Sequence, residues 1–318
     1  MKLFNKILNG TLIFWWRFLD MIGAPTSVIR GPLPETLAKL TPADAGLEFY
    51  ETNIHTMLGK CPAWVVPAES DNWVVFIHGR GGARVGVLDM LPLMHQLGYN
   101  SLVITHRNDW EAPKSPDGRD HLGADEWKDL EAAVEFITDI SDDIGEVALF
   151  ARSAGAMVVG QFLDLSVYAS YIDRVILDEP VLNWNAVFMA QRPVWLPKWV
   201  ARLIIWGNGR RVGVNIRELN WVTHPPMDKP PVLILHTTDD DVCPVWVSRQ
   251  FARIKPGDWN VLLVEFPTGA HAGARFEQPL KYLTLVSAWL APGHNERLLA
   301  LTAADEEARA EEREQVSA

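Results

Sequence analysis

Ser153 stands between an apolar run, Val147 to Phe150, and a helix-like stretch from Ala156 to Leu163. A strand, a tight turn bearing a hydroxyl and then a helix is the layout of a nucleophile elbow. Such a turn accepts only small residues two places before and two places after the nucleophile. Here those places hold Ala151 and Gly155, so alanine stands where glycine is usual. A serine opening a helix also reads as an N-cap, its Oγ accepting a backbone N–H. The elbow therefore needs support from elsewhere in the chain.

Three more stretches supply it. His78-Gly79-Arg80-Gly81-Gly82 follows an apolar run and can aim backbone N–H groups at an anion, as an oxyanion hole does. It is not a dinucleotide loop, because the third glycine of that fingerprint falls on Arg84. Leu235 to Pro244 contains Asp239, Asp240 and Asp241, carboxylates able to orient an imidazole. Three consecutive aspartates also raise a metal site, but they point different ways along an extended chain and no second ligand cluster accompanies them. No metal and no cofactor is expected. Gly269-Ala270-His271 places a histidine among small residues, where it is reachable. Nucleophile, acid and base follow in the order Ser, Asp, His.

The elements that must position these groups read as alternating strands and helices. Strands are expected at Leu47–Glu51, Ala63–Pro67, Trp73–Ile77, Ser101–Thr105, Glu146–Phe150, Arg174–Leu177, Val232–Leu235 and Val261–Phe266. Helices are expected over Val85–Leu97 and Ala124–Ile140. Continuous apolar strands alternating with helices predict an α/β fold, a mostly parallel central sheet covered on both faces. Each candidate residue lies just past a strand's C-terminal end, the edge where ligands gather in such sheets. Residues of about 181–229 interrupt the rhythm and hold Trp184, Met189, Trp195, Trp199, Trp206 and Trp221. They read as a helical cap inserted before the acid-bearing strand, with Trp184 and Met189 lining an apolar substrate pocket.

The chain has 318 residues, 48% hydrophobic and 22% charged, with a net charge of −11. That balance suits a large soluble core and excludes general nucleic-acid binding. Two distant cysteines, Cys61 and Cys243, make no disulfide framework and suit a reducing compartment. Residues 1–30 read as an N-terminal helix and linker. Lys2 and Lys6 precede an apolar face of Leu8, Leu12, Trp15, Leu19 and Ile22, too short to span a bilayer but suited to its surface. The same face would equally pack on the protein or on a second copy. The expected location is cytoplasmic, with residues 1–22 able to hold the chain at the inner membrane face. The hydrolase body is expected at 31–292, followed by an acidic tail at 293–318 with seven acids against three arginines.

With these motifs in order, the sequence resembles the α/β-hydrolase superfamily over roughly residues 45–292. It is most similar to bacterial membrane-associated serine hydrolases related to the prolyl-oligopeptidase-like and acyl-thioesterase-like branches. Arg107-Asn108-Asp109 and His121 to Trp127 add to the likeness. The resemblance implies Ser153 as nucleophile, His271 as base and, four residues after His236, Asp240 as acid. Asp178 is the alternative acid, because some lipases place theirs after that strand. It further implies an oxyanion hole from the N–H of Ala154 and an N–H of Arg80 or Gly81. Arg152 adjoins the centre and either grips an acidic substrate group or pairs with Asp178 or Glu179. Cleavage of an apolar, small-molecule carboxylic ester through an acyl-enzyme is the expected activity. Thioesterase and peptidase activities use the same groups, and a non-catalytic interaction protein on this fold is the reading from another class.

Overall fold

The computed structural model describes residues 39–254, 259–267 and 269–291. Eight strands form one sheet: β1 (Tyr50–Thr56), β2 (Gly59–Val66), β3 (Trp73–Ile77), β4 (Asn100–Ile104), β5 (Val147–Arg152), β6 (Arg174–Asp178), β7 (Val232–Thr237) and β8 (Val261–Phe266). Their order is β1-β2-β4-β3-β5-β6-β7-β8. β2 runs antiparallel to both β1 and β4, and every pairing from β4 through β8 is parallel. This is the mostly parallel sheet expected from the apolar runs.

Side chains alternate across a strand, and the core divides accordingly. Val75, Ile77, Leu149, Ala151, Val175 and Leu177 pack on one face. Val74, Phe76, Ala148, Phe150 and Ile176 pack on the other. Burying each large apolar side chain contributes roughly 1.5–3 kcal/mol before entropy is counted. The first face is covered by α2 (Trp127–Ile140) and α3 (Gly155–Leu165). The second is covered by α1 (Leu91–Gln96) and α8 (Pro279–Leu290), whose Trp289 and Tyr282 are fully buried.

Two expected boundaries move. The first strand starts later than Leu47 and joins β2 in a hairpin, with Thr56 opposite Gly59. The helix expected over Val85–Leu97 is split into a 3-10 segment, Arg84–Met90, and α1. Pro92 lies in the first turn of α1, where its missing N–H costs nothing. Between β6 and β7 run α4 (Trp184–Ala190) and α5 (Lys198–Arg211), joined by a loop of turns. Beyond β7 follow α6 (Val245–Ile254) and, after β8, the single turn α7 (Ala274–Glu277). No helix among the described residues is long and apolar enough to cross a membrane. The helix expected within residues 1–30 and the tail at 293–318 lie outside the described residues.

Candidate active site

Ser153 sits where β5 turns into α3, with φ of 53°. A non-glycine residue in that left-handed region costs roughly 1–3 kcal/mol and persists only when its surroundings hold it. Here they do. The Ser153 N–H donates to the Asp178 carbonyl at 2.9 Å, and the Ser153 carbonyl accepts from Ala156 at 3.1 Å and Val181 at 2.9 Å. The end of β6 thus clamps the turn from both sides. Glycine at 155 is required by a close approach, since a Cβ there would lie 2.6 Å from the Ile77 carbonyl oxygen. Ala151, in contrast, points its Cβ into the core and is fully buried. That is why alanine serves where glycine is usual.

The loop after β8 brings His271 to this serine. Its Nε2 lies 2.9 Å from Ser153 Oγ, and its Nδ1 lies 2.8 Å from Asp240 Oδ2. One tautomer satisfies both contacts: Nδ1–H donates to the carboxylate and Nε2 accepts from the hydroxyl. The two partners lie 31 and 118 positions from the histidine in sequence, so only the sheet topology joins the three.

Asp240 is itself held firmly. Its Oδ1 accepts from the backbone N–H of Val242 at 2.8 Å and Cys243 at 2.7 Å. Its Oδ2 also lies 3.2 Å from His236 Nε2. Burial opposes the charge, but the hydrogen bonds from His236 and His271 outweigh it and hold the Asp240 carboxyl well below the usual carboxylate range. Burial likewise opposes an imidazolium at His271. The bond to Asp240, contact with Cys243 and the carboxylate charge prevail, so the His271 pKa stands above its ordinary value. His236, buried at the end of β7, bonds Ser248 Oγ and the Cys243 carbonyl, both at 2.9 Å. It braces the acid loop.

Glu179, expected only as an alternative partner for Arg152, serves instead the loop that carries His271. Its carboxylate is buried, 3.5 Å from His271 Nδ1. It accepts the backbone N–H groups of Ala272, of Gly273 at 3.1 Å and of Ala274 at 3.3 Å. Three consecutive N–H donors on one carboxylate fix the turn that carries His271. Burial, with Asp178 and Asp240 nearby, pushes the Glu179 carboxyl up to about 7. Its sequence signal was slight, an acid directly after a buried strand.

Arg152 takes the second of its two expected roles. Its Nε donates to Asp178 Oδ2 at 2.5 Å and its Nη1 to the Gly86 carbonyl. The pair is buried beneath the elbow, so a substrate grip by Arg152 is set aside. Asp178 is committed to that guanidinium and not to His271. Met189 packs against both the main core and the small cluster of Leu196 and Ala201.

The turn at Gly79–Gly82 abuts the elbow. A Cβ on Gly79 would lie 3.0 Å from Ser153 Cβ, and Gly82 N–H closes the turn on the Gly79 carbonyl at 2.9 Å. Gly81 has φ of 75°, a conformation that suits glycine. Behind the turn, His78 Nε2 lies 2.9 Å from Asp109 Oδ2, and the His78 and His106 rings stack at 4.7 Å. Ala154 opens α3, and among the described residues its N–H meets no acceptor within the protein. A free N–H at a helix N-terminus attracts anions.

Beside Ala154 lies a cavity of about 20 Å³, bordered by His78, Arg80, Leu122, Glu126, Val158 and Trp184. That volume holds little more than one water-sized group. Trp184 closes it, fixed by its Nε1–H to the Leu122 carbonyl at 2.8 Å. Arg80 faces Asp120 at 3.5 Å on the rim. The surface that lines the cavity is nonetheless almost entirely apolar.

Two groups of side chains among the described residues have metal-ligand spacing: His78, His106 and Asp109, and Asp240, Cys243 and His271. In each, the carboxylate already lies within 2.9 Å of an imidazole nitrogen. Asp239 and Asp241 belong to neither group, so the aspartate run does not converge.

A parallel sheet with this elbow, glycine turn and strand-end loops is the α/β-hydrolase fold, and the protein is a serine hydrolase. Residues 115–294 match the prolyl oligopeptidase family, and the chain belongs to it. The Bacillus subtilis protein YqkD, itself uncharacterized, is 25% identical over 218 residues, covering 65% of this chain and 67% of that protein. The Pyrococcus furiosus esterase Pf2001 superposes with a TM-score of 0.64 at 20% identity, covering 83% of this chain and 97% of the esterase. The Pyrococcus horikoshii acylaminoacyl peptidase superposes at 0.58 with 16% identity, covering 76% of this chain but 41% of the peptidase.

Proposed function

We propose that the protein hydrolyses small carboxylic esters through an acyl-enzyme on Ser153. The observation that carries this reading is His271, within 2.9 Å of Ser153 Oγ and 2.8 Å of Asp240. His271 takes the hydroxyl proton as Oγ attacks the acyl carbonyl, and Asp240 stabilises the imidazolium. The N–H of Ala154, with that of Arg80 or Gly81, binds the oxyanion. The imidazolium returns its proton to the leaving alcohol, and water, deprotonated by His271, then frees the acid.

The cavity of about 20 Å³ argues for a short acyl group. Turnover of p-nitrophenyl acetate should exceed that of the octanoate by at least about tenfold, because one methylene is worth roughly 0.8 kcal/mol only where it fits. Faster cleavage of an aminoacyl p-nitroanilide than of any ester would replace this reading with peptide hydrolysis, which family membership favours as the second choice. Turnover of no acyl substrate at all would leave a binding protein.

The pH profile follows from the raised His271 pKa. The base must be neutral, so kcat/KM should rise with pH and reach half its maximum above about 6.5, the ordinary histidine value. The Glu179 carboxyl, pushed up to about 7, ionises in the same window and favours the imidazolium 3.5 Å away. Glu179→Gln should therefore move the midpoint down. A wild-type plateau already complete at pH 5 would contradict the assignment.

A further inference from the structure

The outer face of α5 is unlike the rest of the molecule. Residues 192–217 hold six basic residues and no aspartate or glutamate, in a chain of net charge −11. α5 buries Ala201, Ile205 and Gly209 against the body. The opposite side presents Trp199, Leu203 and Trp206, which are 66%, 56% and 54% exposed. These fall at i, i+4 and i+7, one stripe of the helix.

Arginines flank the stripe. Arg202, Arg210 and Arg217 border a groove of about 630 Å³ that Trp206 shares. A second groove of about 420 Å³, bounded by Trp199, Leu203 and Trp206, continues from it across Arg202 and Arg217. The Arg210 guanidinium stands 5.0 Å over the Trp206 ring. Among the described residues, none of these three guanidiniums pairs with a carboxylate. The next acid in sequence, Glu218, is engaged by Asn215 at 2.7 Å.

Exposed tryptophans on one helix stripe, with unpaired cations beside them, match a lipid interface in both of its parts. Indole rings sit at headgroup level, and guanidiniums meet anionic phosphates. An acid-free basic stretch opposes the chain's overall charge of −11 and complements an anionic surface. We propose that α5 and the Arg217 loop dock on the surface of an anionic bilayer, with Trp199, Leu203 and Trp206 entering the headgroup layer. This surface is separate from residues 1–22, and it stands whatever acyl substrate the enzyme takes.

The test is co-sedimentation of the full chain with vesicles of phosphatidylcholine alone and of phosphatidylcholine with phosphatidylglycerol at 3:1, in 0.1 M salt. The wild type should pellet with the anionic vesicles. Arg202→Gln with Arg217→Gln should weaken that binding by about 25-fold, at roughly fivefold per basic residue. Trp199→Ser with Trp206→Ser should weaken it by at least about tenfold. All four residues lie outside the elbow, so hydrolysis of p-nitrophenyl acetate by both variants should match wild type and report that they are folded. Equal pelleting of wild type and both variants would assign membrane binding elsewhere and overturn the proposal. So would failure of the wild type to pellet, or a dimer in sedimentation velocity that both variants abolish. Binding that appears only after deletion of residues 293–318 would make the acidic tail the occupant, and equally overturn it.

Discussion

Replacing Ser153 with alanine should lower kcat on p-nitrophenyl acetate by about 10⁶-fold, the loss typical when a serine nucleophile is removed. Nothing else in the site should change. Alanine keeps the Cβ, and the clamps on residue 153 are backbone bonds to Asp178, Ala156 and Val181. The left-handed turn at φ 53° is therefore held as before. His271 retains Asp240 at 2.8 Å and loses only its Oγ partner. The midpoint of thermal unfolding should stay within a few degrees of wild type. A fluorophosphonate probe, which phosphonylates an activated serine and expels fluoride, should label the wild type once and the variant not at all. Wild-type labelling by the variant would place the nucleophile on another residue. A residual rate above water is expected, because the proposed oxyanion donors, the Ala154 N–H and the glycine turn, are untouched by the substitution.

How much of this was legible in the sequence depends on how local each signal is. The strands β3, β5, β6 and β7 announce themselves because both faces of a central parallel strand are buried. Gly79 and Gly155 were legible because a Cβ at Gly155 would lie 2.6 Å from the Ile77 carbonyl oxygen and one at Gly79 would crowd Ser153 Cβ at 3.0 Å. The order of Ser153, Asp240 and His271 was readable because strand ends fall on one edge. What escaped was set by contacts between distant segments. Glu179 holds N–H groups 93 to 95 residues away. Arg152 serves Asp178 across the β5–β6 pair, and no local pattern separates that role from a substrate contact. That Met189 packs against the Leu196 cluster as well as the main core was not legible from composition. The tryptophans of residues 181–229 serve different ends: Trp221 is buried against Phe251 and Trp259, while Trp199 and Trp206 face outward.

Asp240→Asn and Asp178→Asn should fail in opposite ways, and the contrast identifies the acid. Asparagine at 240 can still accept the N–H groups of Val242 and Cys243 through its carbonyl oxygen. Its amide then faces His271 Nδ1 with a donor where the carboxylate had an acceptor. The imidazole must turn to the other tautomer, with its proton on Nε2, and can no longer take one from Ser153 Oγ. The loss in kcat should be about 10⁴-fold, with the fold little affected. Raising the pH should not restore it, since the fault is the tautomer and not the charge. At 178 the same exchange touches no reacting group, because Asp178 binds the Arg152 guanidinium at 2.5 Å and offers Ser153 only its backbone carbonyl. Neutralising it leaves a buried guanidinium with only the half-exposed Asp89 at 3.8 Å as counter-charge, and losing one partner of a buried pair costs about 3–5 kcal/mol. The unfolding midpoint should fall by roughly 10 °C at a few degrees per kcal/mol, while kcat of the folded fraction stays within about tenfold of wild type. The assignment reverses if Asp178→Asn loses turnover without losing stability and Asp240→Asn keeps it.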